Sequence, residues 1–186
     1  NIPLYPFETG LTGDNYPGHK WKETTPLIHK ALEMNDEIHM DISHNINDLF
    51  QYDLRDYDFL VFNYCNWEDP DPIWDRSKES LVNYVESGGG LMFIHFANGA
   101  FHFSLPDAGE SDWPYYRTLC RRVWNHHGNS THDKYGSYMV NVVDRNHPIT
   151  DGISDFQVSD ELYYNQEGEE PIHVLLSAIS KDTGNE

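Results

Sequence analysis

The chain has 186 residues, long enough for a single domain with a real core. Twelve Lys and Arg against 31 Asp and Glu leave a net charge of -19; a field of that sign repels phosphate backbones and anionic headgroups, which excludes general nucleic-acid or membrane-surface binding. Aromatic residues make up 14% of the chain, too rich for disorder, and no apolar run approaches the ~20 residues needed to span a bilayer.

The first sixteen residues, rich in Pro, Gly and Asn, read as a ragged start followed by a loop. Pro3 and Pro6 confine any strand over residues 4–7 to an edge. Thr25 is placed to cap a helix that Pro26 opens, with Leu27, Ile28, Ala31 and Leu32 as its apolar stripe. Residues 38–42 alternate apolar and polar, as a half-wet strand does. Residues 58–62 are nearly all apolar and fit a central parallel strand. Asp71 and Pro72 open a second helix, with Trp74, Leu81, Val82 and Val85 on one face, and Gly88, Gly89 and Gly90 stop it. The apolar run 91–94 then forms a strand that ends at His95. Residues 113–124 read as helix, 137–143 as an alternating strand and 173–179 as a last apolar run. Strands alternating with helices predict one domain over residues 1–186. Its expected fold is an open α/β sheet with right-handed crossovers and a ligand site outside the carboxyl ends of the strands.

Cys65 and Cys120 lie too far apart for a CxxC motif and read as buried thiols, leaving a cytoplasmic or periplasmic setting equally open. Eleven histidines offer more. His19 and Trp21 fall in the loop GHKWKET, which taken alone reads first as an exposed loop His with a packing Trp. His95 ends a strand, and a titratable group placed there is costly unless used; Asn98 and Gly99 allow the bend that follows. In WNHHGNSTHD, adjacent His126 and His127 diverge, and the pair His132–Asp133 is the better candidate; the spacing matches no zinc motif. His147 in HPITDG reads as a turn residue bonded to backbone. Asp160 and Glu161 point to different sides, so one carboxylate, Glu161, is the candidate metal ligand or base.

Together these strings resemble a specific family. HKWKETTP, YVESGGGLMFIHFANGAF, the HD pair, HPITDGI and SDELYY stand in the order found in the trehalose-utilisation (ThuA-like) family, and the likeness runs from about Thr9 to the end. The resemblance implies a flavodoxin-like fold of the class I glutamine amidotransferase-like superfamily, an open, mostly parallel sheet with helices on both faces. It also implies carbohydrate metabolism linked to trehalose or 3-keto-sugars. Two departures stand out: the opening strand is not a clean apolar run, and a late basic, Gly-rich strand with a His-containing segment is not found, so either the chain is a short variant or a C-terminal piece of the family fold is missing. In the amidotransferases the strand corresponding to 91–94 leads to a nucleophilic Cys in G-x-C-x-G; here FIHFANG offers His95, and imidazole cannot form the thioester of glutamine hydrolysis.

The resulting expectation is a sugar isomerase, lyase or hydrolase. Its catalytic residues are His95, His132, Asp133 and Glu161, with Asp133 holding His132. Sugar is contacted by His19, Trp21, Asn98, Trp113 and Tyr163, the flat rings stacking on pyranose C–H faces. A divalent ion, zinc by preference, is expected on His19, His95 and His132. The partner is a small carbohydrate, with no nucleic acid or membrane and with scope for a homo-oligomer. The alternative is a non-catalytic carbohydrate-binding module using the same pocket.

Overall fold

The computed structural model describes residues 7–14, 16–68 and 71–185, with side chains from residue 10 onward. They form two compact units, residues 1–120 and 121–186.

The first unit is an α/β sheet of four parallel strands in the order β2-β1-β3-β4. These are β1 (Phe7–Gly13), β2 (His39–Ser43), β3 (Tyr57–Tyr64) and β4 (Gly90–Phe93). The edge strand expected over residues 4–7 lies, apart from Phe7, outside the described residues. The loop expected beyond it is instead β1, and β1 is central. Its sequence FETGLTG is not apolar, but ladders on both sides satisfy its backbone. Gly10 lets β2 approach, since a Cβ there would stand 3.1 Å from the Met40 Cε.

Helix α1 (Trp21–Leu32) starts at Trp21 and carries Pro26 inside it, not at its first position. The expected cap fails because tertiary partners take the threonine hydroxyls. Thr25 Oγ1 lies 2.6 Å from Thr12 Oγ1, and Asn63 Nδ2 donates to Thr24 Oγ1 at 2.9 Å and Thr25 Oγ1 at 3.0 Å. No residue of α1 is buried, and Leu27 is exposed. Helix α2 (Asp75–Glu86) likewise begins later than Asp71 and Pro72 suggest. Asn47 terminates it from outside: its Oδ1 accepts the Trp74 N–H at 2.7 Å and its carbonyl accepts the Ser77 hydroxyl. α2 buries Ser77, Leu81 and Tyr84.

The glycines after α2 serve Tyr84 as well as the turn. The Tyr84 hydroxyl donates to the carbonyls of Tyr57 and Gly90 at 3.3 and 3.2 Å. A Cβ on Gly89 would stand 2.2 Å from the ring's Cζ. Helix α3 (Pro114–Cys120) is shorter than the expected 113–124 and buries Tyr116.

Side-chain parity divides the sheet. Leu11, Leu60, Phe62 and Tyr64 join Leu81, Tyr84, Ile46 and Leu49 in the main core. Gly10, Thr12, Val61 and Asn63 line a small space with Thr25 and Ile28 of α1. The crossovers β1-α1-β2 and β3-α2-β4 step in opposite directions across the sheet, which for right-handed connections places their helices on opposite faces.

The second unit is antiparallel. β6 (Gly136–Val142) pairs with β7 (Phe156–Asp160) on one side and β9 (Leu176–Ala178) on the other. β5 (Thr131–His132) pairs with β8 (Tyr163–Tyr164). In the turn HPITDGI the His147 Nδ1 accepts the Ile149 N–H at 3.2 Å and Gly152 takes φ +74. Among the described residues, no helix is long and apolar enough to cross a membrane.

Candidate functional site

In the first unit the chain places two histidines together at the carboxyl ends of the strands, where ligands of open α/β sheets bind. His19 is set by a tight turn: Tyr16 and His19 exchange both backbone hydrogen bonds, at 2.8 and 3.3 Å, around Gly18 at φ +80. His95 follows β4. The Ile94 N–H still bonds the Phe62 carbonyl at 2.9 Å, and the chain then breaks into the 3₁₀ turn His95–Gly99. His95 itself takes φ +45, a left-handed conformation disfavoured for any residue with a Cβ. Strain of this kind persists where the surroundings over-determine it, and it concentrates at functional sites. The turn is pinned from below by the Tyr116 hydroxyl, which donates to the Ala97 carbonyl at 2.9 Å.

The His19 and His95 ring centroids are 4.5 Å apart, with planes inclined by 39°. Phe96 lies 5.2 Å from His19. Behind them Tyr16 packs on His19, Trp67 and Phe96. Burial, helped by the nearby Cys65, pushes its phenol up to about 12, so it stays protonated. The two imidazoles open on a cavity of about 330 Å³. Leu27, Ile28, Ile94 and Phe96 form its apolar wall, and Thr24 and Asn63 join the histidines on its polar side. Asn63, the residue before the last of β3, has 3% of its surface exposed. Among the described residues its Oδ1 has no hydrogen-bond partner.

Cys65, next to the end of β3, is completely buried. Burial, reinforced by the negative charge of Asp14, pushes its thiol far up, which removes the thiolate a nucleophile needs.

The other expected site residues are arranged differently. Trp21, the first residue of α1, packs against His44 with centroids 5.1 Å apart. Trp113 is not presented for stacking: it is 8% exposed and packed on Phe101, Tyr115 and Tyr116, because the short α3 folds its ring into the core. Asn98 is half-buried in the turn that His95 opens.

His132, Asp133, Glu161 and Tyr163 belong to the second unit and form a cluster of their own. The Tyr163 hydroxyl donates to Glu161 Oε2 at 2.9 Å, and His132 Nδ1 stands 3.7 Å from Glu161 Oε1. The Tyr163 ring contacts His132 and Trp124. Asp133 does not hold His132 through its carboxylate. His132 Nδ1 meets the Asp133 main-chain oxygen at 2.8 Å. The carboxylate accepts from the Ser180 hydroxyl and the Lys181 N–H, each at 2.7 Å. Those bonds, Ser180's first, hold its carboxyl below the usual carboxylate range.

Among the described residues no group of three His, Cys, Asp or Glu side chains stands close enough to hold a metal ion. Of the expected metal ligands, His19 and His95 lie together in the first unit and His132 belongs to the second. Asn63, Thr24 and Phe96 are site residues the sequence reading passes over. The one signal for Asn63 is a polar residue closing the apolar run FLVFN.

Comparison with known proteins agrees with this architecture. Residues 11–185 match the family model described as ThuA, trehalose utilisation. No curated protein matches the chain. Among solved structures, a ThuA-like protein from Bacteroides uniformis superposes with a TM-score of 0.67 at 18% identity, over 95% of this chain and 68% of that one; at such identity the likeness establishes the fold.

Proposed function

Given that the chain belongs to the ThuA family of trehalose utilisation, we propose that it is an enzyme acting on a sugar such as trehalose or a 3-keto-glycoside, with His19 and His95 as its acid–base pair. The observation that carries this reading is the contact of the two imidazoles, 4.5 Å between centroids, on the polar side of a cavity of about 330 Å³. Imidazole is the side chain suited to both accept and donate protons near neutral pH. In ring contact, one neutral ring takes a proton while the other delivers one. A 3-keto-glycoside needs both. A base removes the proton from C2, the neighbouring carbonyl takes up the charge as an enediolate, and an acid protonates the glycosidic oxygen as its bond to C1 breaks. The apolar wall of Leu27, Ile28, Ile94 and Phe96 suits the C–H face of a pyranose.

Glutaminase chemistry does not fit the same residues. By the resemblance, FIHFANG offers His95 in place of the nucleophilic thiol, and Cys65 is buried with its thiol pushed up. The cluster of His132, Glu161 and Tyr163 in the second unit is a separate group of proton-transfer side chains with an aromatic face.

The test is turnover of 3-keto-trehalose, followed by glucose release and by deuterium exchange at C2 of the recovered substrate. His19→Ala and His95→Ala should each lower kcat by about 10²–10⁴, the usual contribution of a positioned acid or base. His132→Ala and Glu161→Ala are assayed alongside. Full activity in both His19→Ala and His95→Ala refutes the acid–base pair; sugar binding without turnover by the wild type identifies a binding module instead.

A further inference from the structure

We infer that Tyr116 is a positioning residue for the imidazole pair: its buried hydroxyl, acting through the Ala97 carbonyl, holds the turn 95–99 in the form that sets His95 against His19. The inference rests on the reading of His19 and His95 as the acid–base pair.

The segment 95–101 opens and closes on left-handed residues that are not glycine, His95 at φ +45 and Phe101 at φ +52. Neither conformation is favoured by a residue with a Cβ, so bonds from outside the segment have to hold it. Two buried side chains supply them. At the far end Asn66 Oδ1 accepts the Phe101 N–H at 2.7 Å, and the Phe101 carbonyl accepts the Trp113 N–H at 2.9 Å. At the near end, two residues beyond His95, the Tyr116 hydroxyl donates to the Ala97 carbonyl at 2.9 Å. The turn's own bonds there run from the Ala97 N–H to the Ile94 carbonyl at 3.0 Å and from the Ala100 N–H to the Ala97 carbonyl at 3.3 Å.

The hydroxyl is not needed for packing. The Tyr116 ring lies edge-on against Phe62, Phe93 and Phe101, a setting that phenylalanine fills equally well. A hydroxyl among such rings costs free energy unless it is bonded. Burial pushes the phenol well above its ordinary value, so it stays a donor at working pH, with the Cys120 thiol as its other polar neighbour. Tyr116 and Ala97 are both fully buried, so solvent does not replace the donor once it is gone. Without it the near end of the turn is held only by its own bonds, against the strain at His95. Part of the population then relaxes and carries the imidazole away from His19. Substrate still meets Leu27 and Ile28, which sit on α1 and not on the turn. The loss therefore falls on the chemical step and not on binding.

The experiment compares wild type, Tyr116→Phe, His95→Ala and the double variant in turnover of 3-keto-trehalose, with the His19 and His95 ring protons followed by NMR. Tyr116→Phe keeps the ring, and the Ala97 carbonyl keeps the Ala100 N–H, so the fold is retained. The variant should lower kcat about three- to tenfold, the worth of one net hydrogen bond, at unchanged KM. The cross-relaxation between the two imidazoles should weaken with it. In the His95→Ala background Tyr116→Phe should cost nothing further, because a residue acting through His95 has nothing left to position. Wild-type kcat and wild-type ring contact in Tyr116→Phe overturn the inference and leave the acid–base pair standing. An equal loss in both backgrounds overturns it too, as the mark of a general effect on the core. Full activity in His95→Ala, or no turnover by the wild type, overturns the reading of the pair and the inference with it.

Discussion

Replacing His95 by glycine and by alanine should invert the usual ranking of those two residues. His95 is exposed and sits at φ +45, where a residue with a Cβ pays about 1–2 kcal/mol. In regular structure glycine is the worse choice by about 0.5–1 kcal/mol, because it loses more freedom on folding. Both variants lose the ring contact with His19 at 4.5 Å, of the kind worth about 0.5–1.5 kcal/mol. Alanine keeps the Cβ and therefore the strain. Glycine sheds the strain and gives back part of the gain as entropy. The difference leaves His95→Gly more stable than His95→Ala by about 0.5–1 kcal/mol. Urea unfolding followed by tryptophan fluorescence reads this as a higher midpoint at unchanged slope. Both variants should turn over 3-keto-trehalose about 10²–10⁴ more slowly than wild type, so the advantage of glycine over alanine is one of stability alone. An alanine variant more stable than the glycine variant by about 0.5–1 kcal/mol, the ordinary ranking, would show that the left-handed backbone carries no cost, and would remove the argument that the site stores strain.

Other consequences are measurable on the same protein. Gly89→Ala forces a methyl into the Tyr84 ring and should cost about 1–3 kcal/mol, the range for overpacking, seen as a lower urea midpoint; an unchanged midpoint would mean the ring moves freely. Cys65, with its thiol pushed up by burial, should stay unlabelled by a thiol reagent at pH 8 in the folded protein and react on unfolding in urea. Fast labelling under native conditions would contradict its burial. Asp133 has its carboxyl held below its unfolded value of about 3.9. It therefore contributes stability that is present above that value and lost as pH falls through the folded one. The acid limb of the melting temperature should be steeper in wild type than in Asp133→Asn; identical limbs would exclude the contribution.

The hydrophobic pattern made part of this architecture legible. The run around 58–62 and the segment GGGLMF are apolar enough to demand burial, and they became β3 and β4. β1 was not legible because FETGLTG has no apolar run; its place comes from ladders to residues far along the chain. The start of α1 departs from its local signal for a related reason. Thr25 and Pro26 form a convincing local cap, yet the Thr25 hydroxyl is spent on Thr12 and the Asn63 amide. His95 could be found because it closes an apolar strand, and His19 because it lies in a strand-to-helix loop. Asn63 could not, since no local pattern marks a side chain whose partners come from α1 and β1. The flat ring of Trp113 suits a sugar face by chemistry, but its burial comes from tertiary contacts that no local pattern marks.

The position of β1 has a kinetic corollary. Thr12 and Asn63 are ladder partners 51 residues apart. During synthesis β1 can pair with β2 early, but its other edge stays open until β3 has left the ribosome. Such long-range parallel pairing folds slowly and leaves an unpaired strand exposed to other chains meanwhile. The polar, glycine-broken sequence of β1, which hid it as a strand, is also a poor template for association with a neighbouring nascent chain.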